Sequence, residues 1–166
     1  SHQLSAAENR AGVGLPQGER IIPQFLRAVG YATGCFGKWN IGFAPGSRPT
    51  DRGFDEFLGF RSGNIGYYEY LYGGEHDLFR GTEPFRTDAY STDLFADAAV
   101  DFIRRYAGRP WFVYLPFNAA HFVSDGNVPR GVKPLWPAPA AAFARYGWTA
   151  DEPDECRRYR AVLTSL

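Results

Sequence analysis

Cysteine is nearly absent from this chain, whose 166 residues include only Cys35 and Cys156. Two isolated thiols make neither a disulfide framework nor a zinc site, whose ligands cluster at short spacings, so both read as buried or incidental. Net charge is absent too. Eighteen basic and eighteen acidic side chains cancel, leaving no field to gather nucleic acid or an anionic membrane, and neither is an expected partner. No apolar run reaches the length of about 18 residues that a spanning helix needs, and the N-terminus carries no charged, apolar, small-residue leader pattern.

Apolar residues, by contrast, make up 45% of the chain, enough for the core of one domain or of part of one. The 19 glycines, the 12 prolines and an aromatic share of 17% imply extensive ordered loop held down by large rings. Loops of that kind commonly carry function.

Residues 1–17 show no period, and Gly12, Gly14 and Pro16 mark them as loop. Ile22, Phe25, Leu26 and Val29 then fall at i, i+3, i+4 and i+7, the stripe of a short amphipathic helix that stops at Gly30. Tyr31 to Phe36 reads as a strand that feeds Gly37-Lys38-Trp39-Asn40. From Ile41 to Tyr90 the sequence predicts a long irregular stretch, of a length more often functional than idle. Within it, Tyr67, Tyr68, Tyr70 and Tyr72 read as rings pinning a loop to the body, with a sugar-stacking platform as the alternative.

A second helix follows, capped by Ser91 or Thr92, with Asp93 and Asp97 near its start and Arg104 and Arg105 near its end. Leu94, Ala98, Phe102 and Tyr106, flanked by Phe95, Ala99 and Ile103, give it a wide apolar face before Gly108. Trp111 to Phe117 is a continuous apolar run that reads as a strand buried on both faces. Beyond Val123 come Pro134, Pro137 and Pro139, and the Ala-rich stretch 139–145 reads as a loop leading into a short helix or as an edge excursion. Residues 154–166 read as a last helix with Tyr159, Val162 and Leu163 on its apolar face.

Helix, strand, long loop, helix, strand is the order of an α/β layer fold. In open α/β sheets ligands bind beyond the carboxyl ends of the strands. If the two strands are parallel neighbours, Gly37 to Asn40 and Asn118 to His121 share one rim, and a lysine meets a histidine.

The stretch Gly30-Tyr31-Ala32-Thr33-Gly34-Cys35-Phe36-Gly37-Lys38-Trp39-Asn40-Ile41-Gly42 is similar to the second signature of the formylglycine-dependent sulfatases, G-Y-x-T-x-x-x-G-K-W-H-x-G. Asn40 is its one departure. Further matches keep the family's order: Pro49-Thr50-Asp51-Arg52-Gly53-Phe54-Asp55-Glu56-Phe57-Leu58-Gly59-Phe60, Tyr90-Ser91-Thr92-Asp93-Leu94-Phe95, and Phe117-Asn118-Ala119-Ala120-His121. The resemblance is strong over roughly residues 15–125. It implies a partial alkaline-phosphatase-like sandwich, α/β, with a mainly parallel central sheet flanked by helices and long ordered loops. It also implies that residues 1–166 are an incomplete, internal piece of a catalytic domain.

The chemistry implied is hydrolysis of sugar or aryl sulfate esters by an aldehyde hydrate made from Cys or Ser, beside a calcium ion. The ligands of the parent would be sulfated small molecules or glycans, and its compartment extracytoplasmic. Lys38 matches the lysine that contacts nucleophile and sulfate, and His121 the histidine that protonates the departing alcohol. His2 and His76 match nothing and are expected to be exposed.

Three departures qualify this. Asn40 stands where the family has a histidine base, and an amide accepts no proton near neutral pH. No Cys/Ser-x-Pro/Ala-x-Arg modification site precedes Lys38: Cys35 fails the pattern, and Cys156 has Arg158 in the Pro position. The paired aspartates and the Asp-Asn pair that hold calcium in the family are not found either, so no metal ligand is assigned. The chain alone is therefore expected to be inactive, with a degenerate relative that binds anionic or sulfated ligands without hydrolysis as the alternative. A phosphoester hydrolase of the same superfamily is disfavoured by Gly37-Lys38-Trp39. Neighbouring strands missing from the sheet would leave edges open to self-association.

Overall fold

The computed structural model describes residues 13–132 and 136–166. The expectations for Gly12, His2 and Pro134 lie outside them.

A five-stranded sheet organises the chain. Three parallel strands form its centre and one edge: β2 (Glu56–Phe60), β1 (Ala32–Lys38) and β7 (Trp111–Tyr114), in that spatial order. Two short strands, β5 (Phe79–Arg80) and β6 (Glu83–Pro84), extend it antiparallel beyond β2, and β3 (Leu71–Tyr72) pairs with β4 (Glu75–His76) apart from it. Helix α1 (Ile22–Ala28) enters β1, and α2 (Ser91–Arg105) packs on β1 and β2. Helices α3 (Ala140–Ala144) and α4 (Glu155–Thr164) close the C-terminal part. The expected α/β class with a mainly parallel sheet is the observed one.

The core forms where α2 lies on the sheet. Phe95 and Phe102 are fully buried and meet Phe36 and Phe60, with Phe36 and Phe102 edge to face at 5.6 Å. Each such ring contributes roughly 1.5–3 kcal/mol by leaving water. On the other face Cys35, Trp39, Phe54 and Phe57 form a second cluster. A third, built on Tyr67, Tyr90, Val123, Phe143 and Val162, joins the loops to α3 and α4.

Several sequence expectations change. The stretch 41–90 contains β2, a central strand, which its five residues and Gly59 concealed. Gly59 is required there, because a Cβ would lie 1.9 Å from the Gly37 carbonyl oxygen. The α1 stripe faces outward: Ile22, Phe25 and Val29 are 63%, 50% and 70% exposed, since only Pro23 of this helix is buried. The strand β7 is not buried on both faces. It is the edge strand, and Trp111 and Tyr114 are exposed.

Helix α2 is capped by Tyr90, and neither Ser91 nor Thr92 supplies the cap. The Ser91 N–H is already taken by the Tyr67 carbonyl at 2.9 Å, so the loop satisfies the helix end. Helix α4 buries Arg158, Ala161 and Val162, while Tyr159 and Leu163 face out. His76 is half-buried, its Nε2 2.7 Å from the Phe85 carbonyl.

Candidate active site

The β1 and β7 strands are parallel neighbours, so their exits share one rim of the sheet. The Lys38 N–H donates to the Pro116 carbonyl at 2.9 Å, tying the start of one exit loop to the other. A side chain at Gly37 would collide here: its Cβ would sit 2.1 Å from that same carbonyl oxygen, and its φ is +126°. The glycine before Lys38 thus permits the close approach that sets the lysine on the rim.

Lys38 is half-buried, and burial lowers its ammonium pKa below the ordinary lysine value. No described residue pairs with that ammonium. Asn40 follows at φ +50°, a left-handed conformation that asparagine tolerates. Its N–H donates to the Arg61 carbonyl at 3.1 Å, and the residue is 4% exposed. Its Oδ1 is buried with no partner among the described residues.

The exit loop of β2 lies on the same rim, and sequence reasoning missed it together with its strand. Asp77, 1% exposed, accepts from Arg61 Nε at 2.8 Å, from the Ser62 N–H at 3.0 Å and from the Ser62 hydroxyl. That carboxylate fixes the start of the loop. Asn64 then reaches the third exit: its Nδ2 lies 3.2 Å from His121 Nδ1 and donates to the Phe122 carbonyl at 3.2 Å. Asn118 locks the loop from the other side, with its Oδ1 accepting from the Ile65 N–H at 3.2 Å and its Nδ2 donating to the Ile65 carbonyl at 2.8 Å. A strand-end rule applied to a correctly assigned β2 would have found Arg61 to Asn64.

His121 is exposed. Its Nδ1 lies 2.9 Å from the Phe122 carbonyl and 3.2 Å from Asn64 Nδ2, so according to tautomer it donates to the carbonyl or accepts from the amide. The Tyr67 hydroxyl donates to the His121 carbonyl at 3.0 Å. Tyr67 stacks on Tyr90 at 5.5 Å, and the Tyr70 hydroxyl donates to the Ala89 carbonyl at 2.6 Å. These buried rings hold the loop, the first of the two readings the sequence allowed.

Chemically, the rim offers an ammonium for an anion, an amide carbonyl and an imidazole. It does not fit a calcium ion. A hard divalent cation takes six or more oxygen ligands, and among the described residues no three of His, Cys, Asp and Glu converge. Nor does either thiol fit a nucleophile. Cys35 is fully buried inside β1, where burial pushes its pKa up, and Cys156 is exposed on α4, away from the β1 exit in sequence.

The family model described as Sulfatase matches residues 1–165. The chain belongs to the sulfatase family. Among curated relatives, this sulfatase-family chain is 30% identical over 122 residues to N-acetylgalactosamine-6-sulfatase of Canis lupus familiaris, covering 65% of the chain and 23% of the relative. It is 30% identical over 162 residues to arylsulfatase J of Mus musculus, covering 92% and 25%. It therefore spans about a quarter of the length of these relatives. Among solved structures, Ps i-CgsB superposes with a TM-score of 0.74 at 25% identity, over 93% of this chain and 35% of that one. BT4656 shares the fold, with a TM-score of 0.57 at 20% identity, over 85% and 25%. The alkaline-phosphatase-like α/β architecture of the sulfatases is thus the architecture of this chain.

Proposed function

We propose that this chain supplies part of a sulfatase active site, and that the protein to which it belongs hydrolyses sulfate esters of sugars or aryl alcohols. Residues 1–166 are then an incomplete catalytic domain. The observation that carries the reading is the shared rim. An ammonium, half-buried and without a partner among the described residues, and an exposed imidazole follow adjacent parallel strands, in segments similar to the family's motifs.

In this reading the Lys38 ammonium holds the sulfuryl oxygens. Partial burial strengthens that attraction, because less water screens it. His121, its Nδ1–H donating to the Phe122 carbonyl, presents Nε2 and delivers the proton of that nitrogen to the oxygen of the departing alcohol. The family's calcium would supply further charge at sulfur, and its formylglycine the attacking oxygen. The described residues offer no acidic cluster for the ion, and no Cys/Ser-x-Pro/Ala-x-Arg precedes Lys38, so no step through either is assigned to this chain.

Ligands of the whole protein are sulfated small molecules or glycans in this reading. In support, Ps i-CgsB was solved with k-i-k-neocarrahexaose and BT4656 with D-glucosamine-2-N,6-O-disulfate. The test is turnover of a chromogenic aryl sulfate. The 166-residue chain should show none above background, and measurable turnover defeats the claim that it lacks essential parts.

One observation favours a second reading, in which the protein binds sulfated ligands without hydrolysis. Asn40 cannot act as a base, and its buried Oδ1 has no partner among the described residues. Asn40→His in a longer protein containing the chain separates the two. A rise in turnover supports a slowed enzyme, and no turnover in either version supports a binding protein.

A further inference from the structure

Away from the rim, two surfaces of this chain complement each other. The first is the outer side of α1. Ile22, Phe25 and Val29 lie at i, i+3 and i+7 and are 63%, 50% and 70% exposed. Single exposed apolar residues are ordinary on a protein surface; a stripe of three along one helix is not. The Arg20 guanidinium lies over the Phe25 ring at 4.1 Å, so a positive charge borders the stripe. Residues 20–29 include two arginines and no acidic side chain.

The second surface is a groove of about 660 Å³ between α2 and the strands β2 and β5. Leu94, Asp97, Ala98, Asp101 and Arg105 share one face of α2 and form its wall, with Leu58 of β2 and Arg80 of β5 also lining it. Leu94 and Ala98 are only half-buried. Two of the groove's four carboxylates are spent, Asp55 on Arg27 and Glu56 on Arg105. The other two are available: exposed Asp97 makes no ion pair among the described residues, and Asp101 has a loose 3.6 Å contact with exposed Arg104. Arg80 is occupied over the Phe85 ring at 4.4 Å.

We propose that α1 of one copy of this chain docks in the α2 groove of a second copy. Ile22, Phe25 and Val29 cover Leu94 and Ala98, and Arg20 meets Asp97 and Asp101. The lengths agree: at 1.5 Å per residue the α1 stripe runs roughly 10 Å and the α2 wall roughly 16 Å. Charge selects the pairing, since α2 against α2 would set aspartates together. Within one chain, helix and groove adjoin at Asp55, which lines the groove and holds Arg27 of α1 at 2.8 Å. A two-fold axis beside Asp55 therefore lets both copies make the contact at once, the closed arrangement most homodimers use.

Sedimentation velocity on the full 166-residue chain tests this. The mass should rise with concentration from one chain, 18.6 kDa, toward two, and higher ionic strength should weaken association. Phe25→Ala should weaken it at least about tenfold. Arg20→Glu alone, and Asp97→Arg with Asp101→Arg, should each do the same. Mixed together, the two charge variants should associate with one another, because each helix then faces a groove of opposite charge. That recovery also shows that both variants fold.

A chain that stays monomeric at every concentration overturns the proposal. With unchanged thermal midpoints, a mixture of the charge variants that stays monomeric overturns it too. So does a dimer that Phe25→Ala breaks and the groove variant leaves intact, which sets α1 against another surface. A dimer broken by Trp111→Lys and by none of the other variants pairs through the β7 edge, and this also overturns the proposal.

Discussion

The two ends of the parallel sheet treat polar side chains in opposite ways. At the entry end of β1 and β2, Asp55, Glu56 and Arg52 are engaged by partner side chains or by the backbone. Asp55 accepts from the Thr33 N–H and hydroxyl at 3.0 Å and pairs with Arg27 at 2.8 Å. Glu56 takes a two-pronged contact from Arg105 at 2.6 and 2.7 Å. Buried Arg52 donates to the carbonyls of Pro16, Gln17 and Glu19. At the exit end Lys38 is unpaired among the described residues, Asn40 Oδ1 is orphaned and His121 faces solvent. Both ends lie in segments that resemble the family, yet at the entry end the Arg52 guanidinium, apart from its Nε, is spent on backbone carbonyls, while the exit end leaves whole functional groups without a partner among the described residues. Similarity to a family motif therefore marks fold as readily as chemistry, and pairing tells the two apart.

That contrast breaks most sharply at Arg52 and Asp77. Arg52→Ala should lower stability by roughly 3 kcal/mol, because three backbone carbonyls lose a buried partner at once. Urea unfolding measures it, and sulfate affinity should not move in the surviving folded fraction. Asp77→Ala should lose a comparable 2–4 kcal/mol, since the buried ion pair and the Ser62 contacts go together. Unlike Arg52→Ala it should also weaken sulfate binding, because the Arg61 to Asn64 loop loses its anchor.

Lys38→Met should give the opposite pattern. Stability holds or rises slightly, because a half-buried charge with no partner among the described residues is removed, whereas affinity for inorganic sulfate drops at least about tenfold, as a charge-assisted contact of about 1.5 kcal/mol or more is lost. Calorimetry on the two proteins tests this; a marked fall in thermal midpoint would make Lys38 a structural lysine. Arg105→Ala, at an exposed pair, should cost under about 1 kcal/mol despite its two-pronged geometry.

A last effect concerns pH. Burial raises the Cys35 pKa above its ordinary 9.0, so above pH 9 the unfolded chain releases this proton and the folded chain keeps it. The stability this thiol lends is complete below pH 9 and declines above it, at a limiting slope of about 1.4 kcal/mol per pH unit. Unfolding curves at pH 8, 9 and 10 should show a steeper decline for the native chain than for Cys35→Ala; equal slopes would mean the thiol is not held protonated.

Much of the exit end was legible from residue order alone. Gly37-Lys38-Trp39 after a short strand, and His121 after an apolar run, needed only the strand-end rule to be set on one rim. The entry end was not legible as structure. Nothing in Pro49 to Phe60 announces that Arg52 would reach carbonyls more than thirty residues away, because carbonyls carry no sequence signal. For the same reason Asn64 and Asp77 went unseen: an asparagine in a loop becomes a positioning group only when another segment arrives beside it.

Periodicity found the helices and the buried face of α2, but misjudged the face of α1 and the burial of the β7 run. The α1 stripe and the β7 run are apolar enough to be buried, yet Ile22, Val29 and Trp111 are exposed, since burial needs a partner surface as well as an apolar side chain. By itself the sequence determined the α/β class, the strand that delivers Lys38, the amphipathic α2 and the kinship with sulfatases, all of which depend on local pattern and residue identity. Tertiary structure alone decided that β2 lies between β1 and β5, that Asn64 ties the loops at His121, and that α2 and β2 wall a groove. Those are contacts between segments far apart in the chain, and no local preference encodes which distant surface a side chain will find.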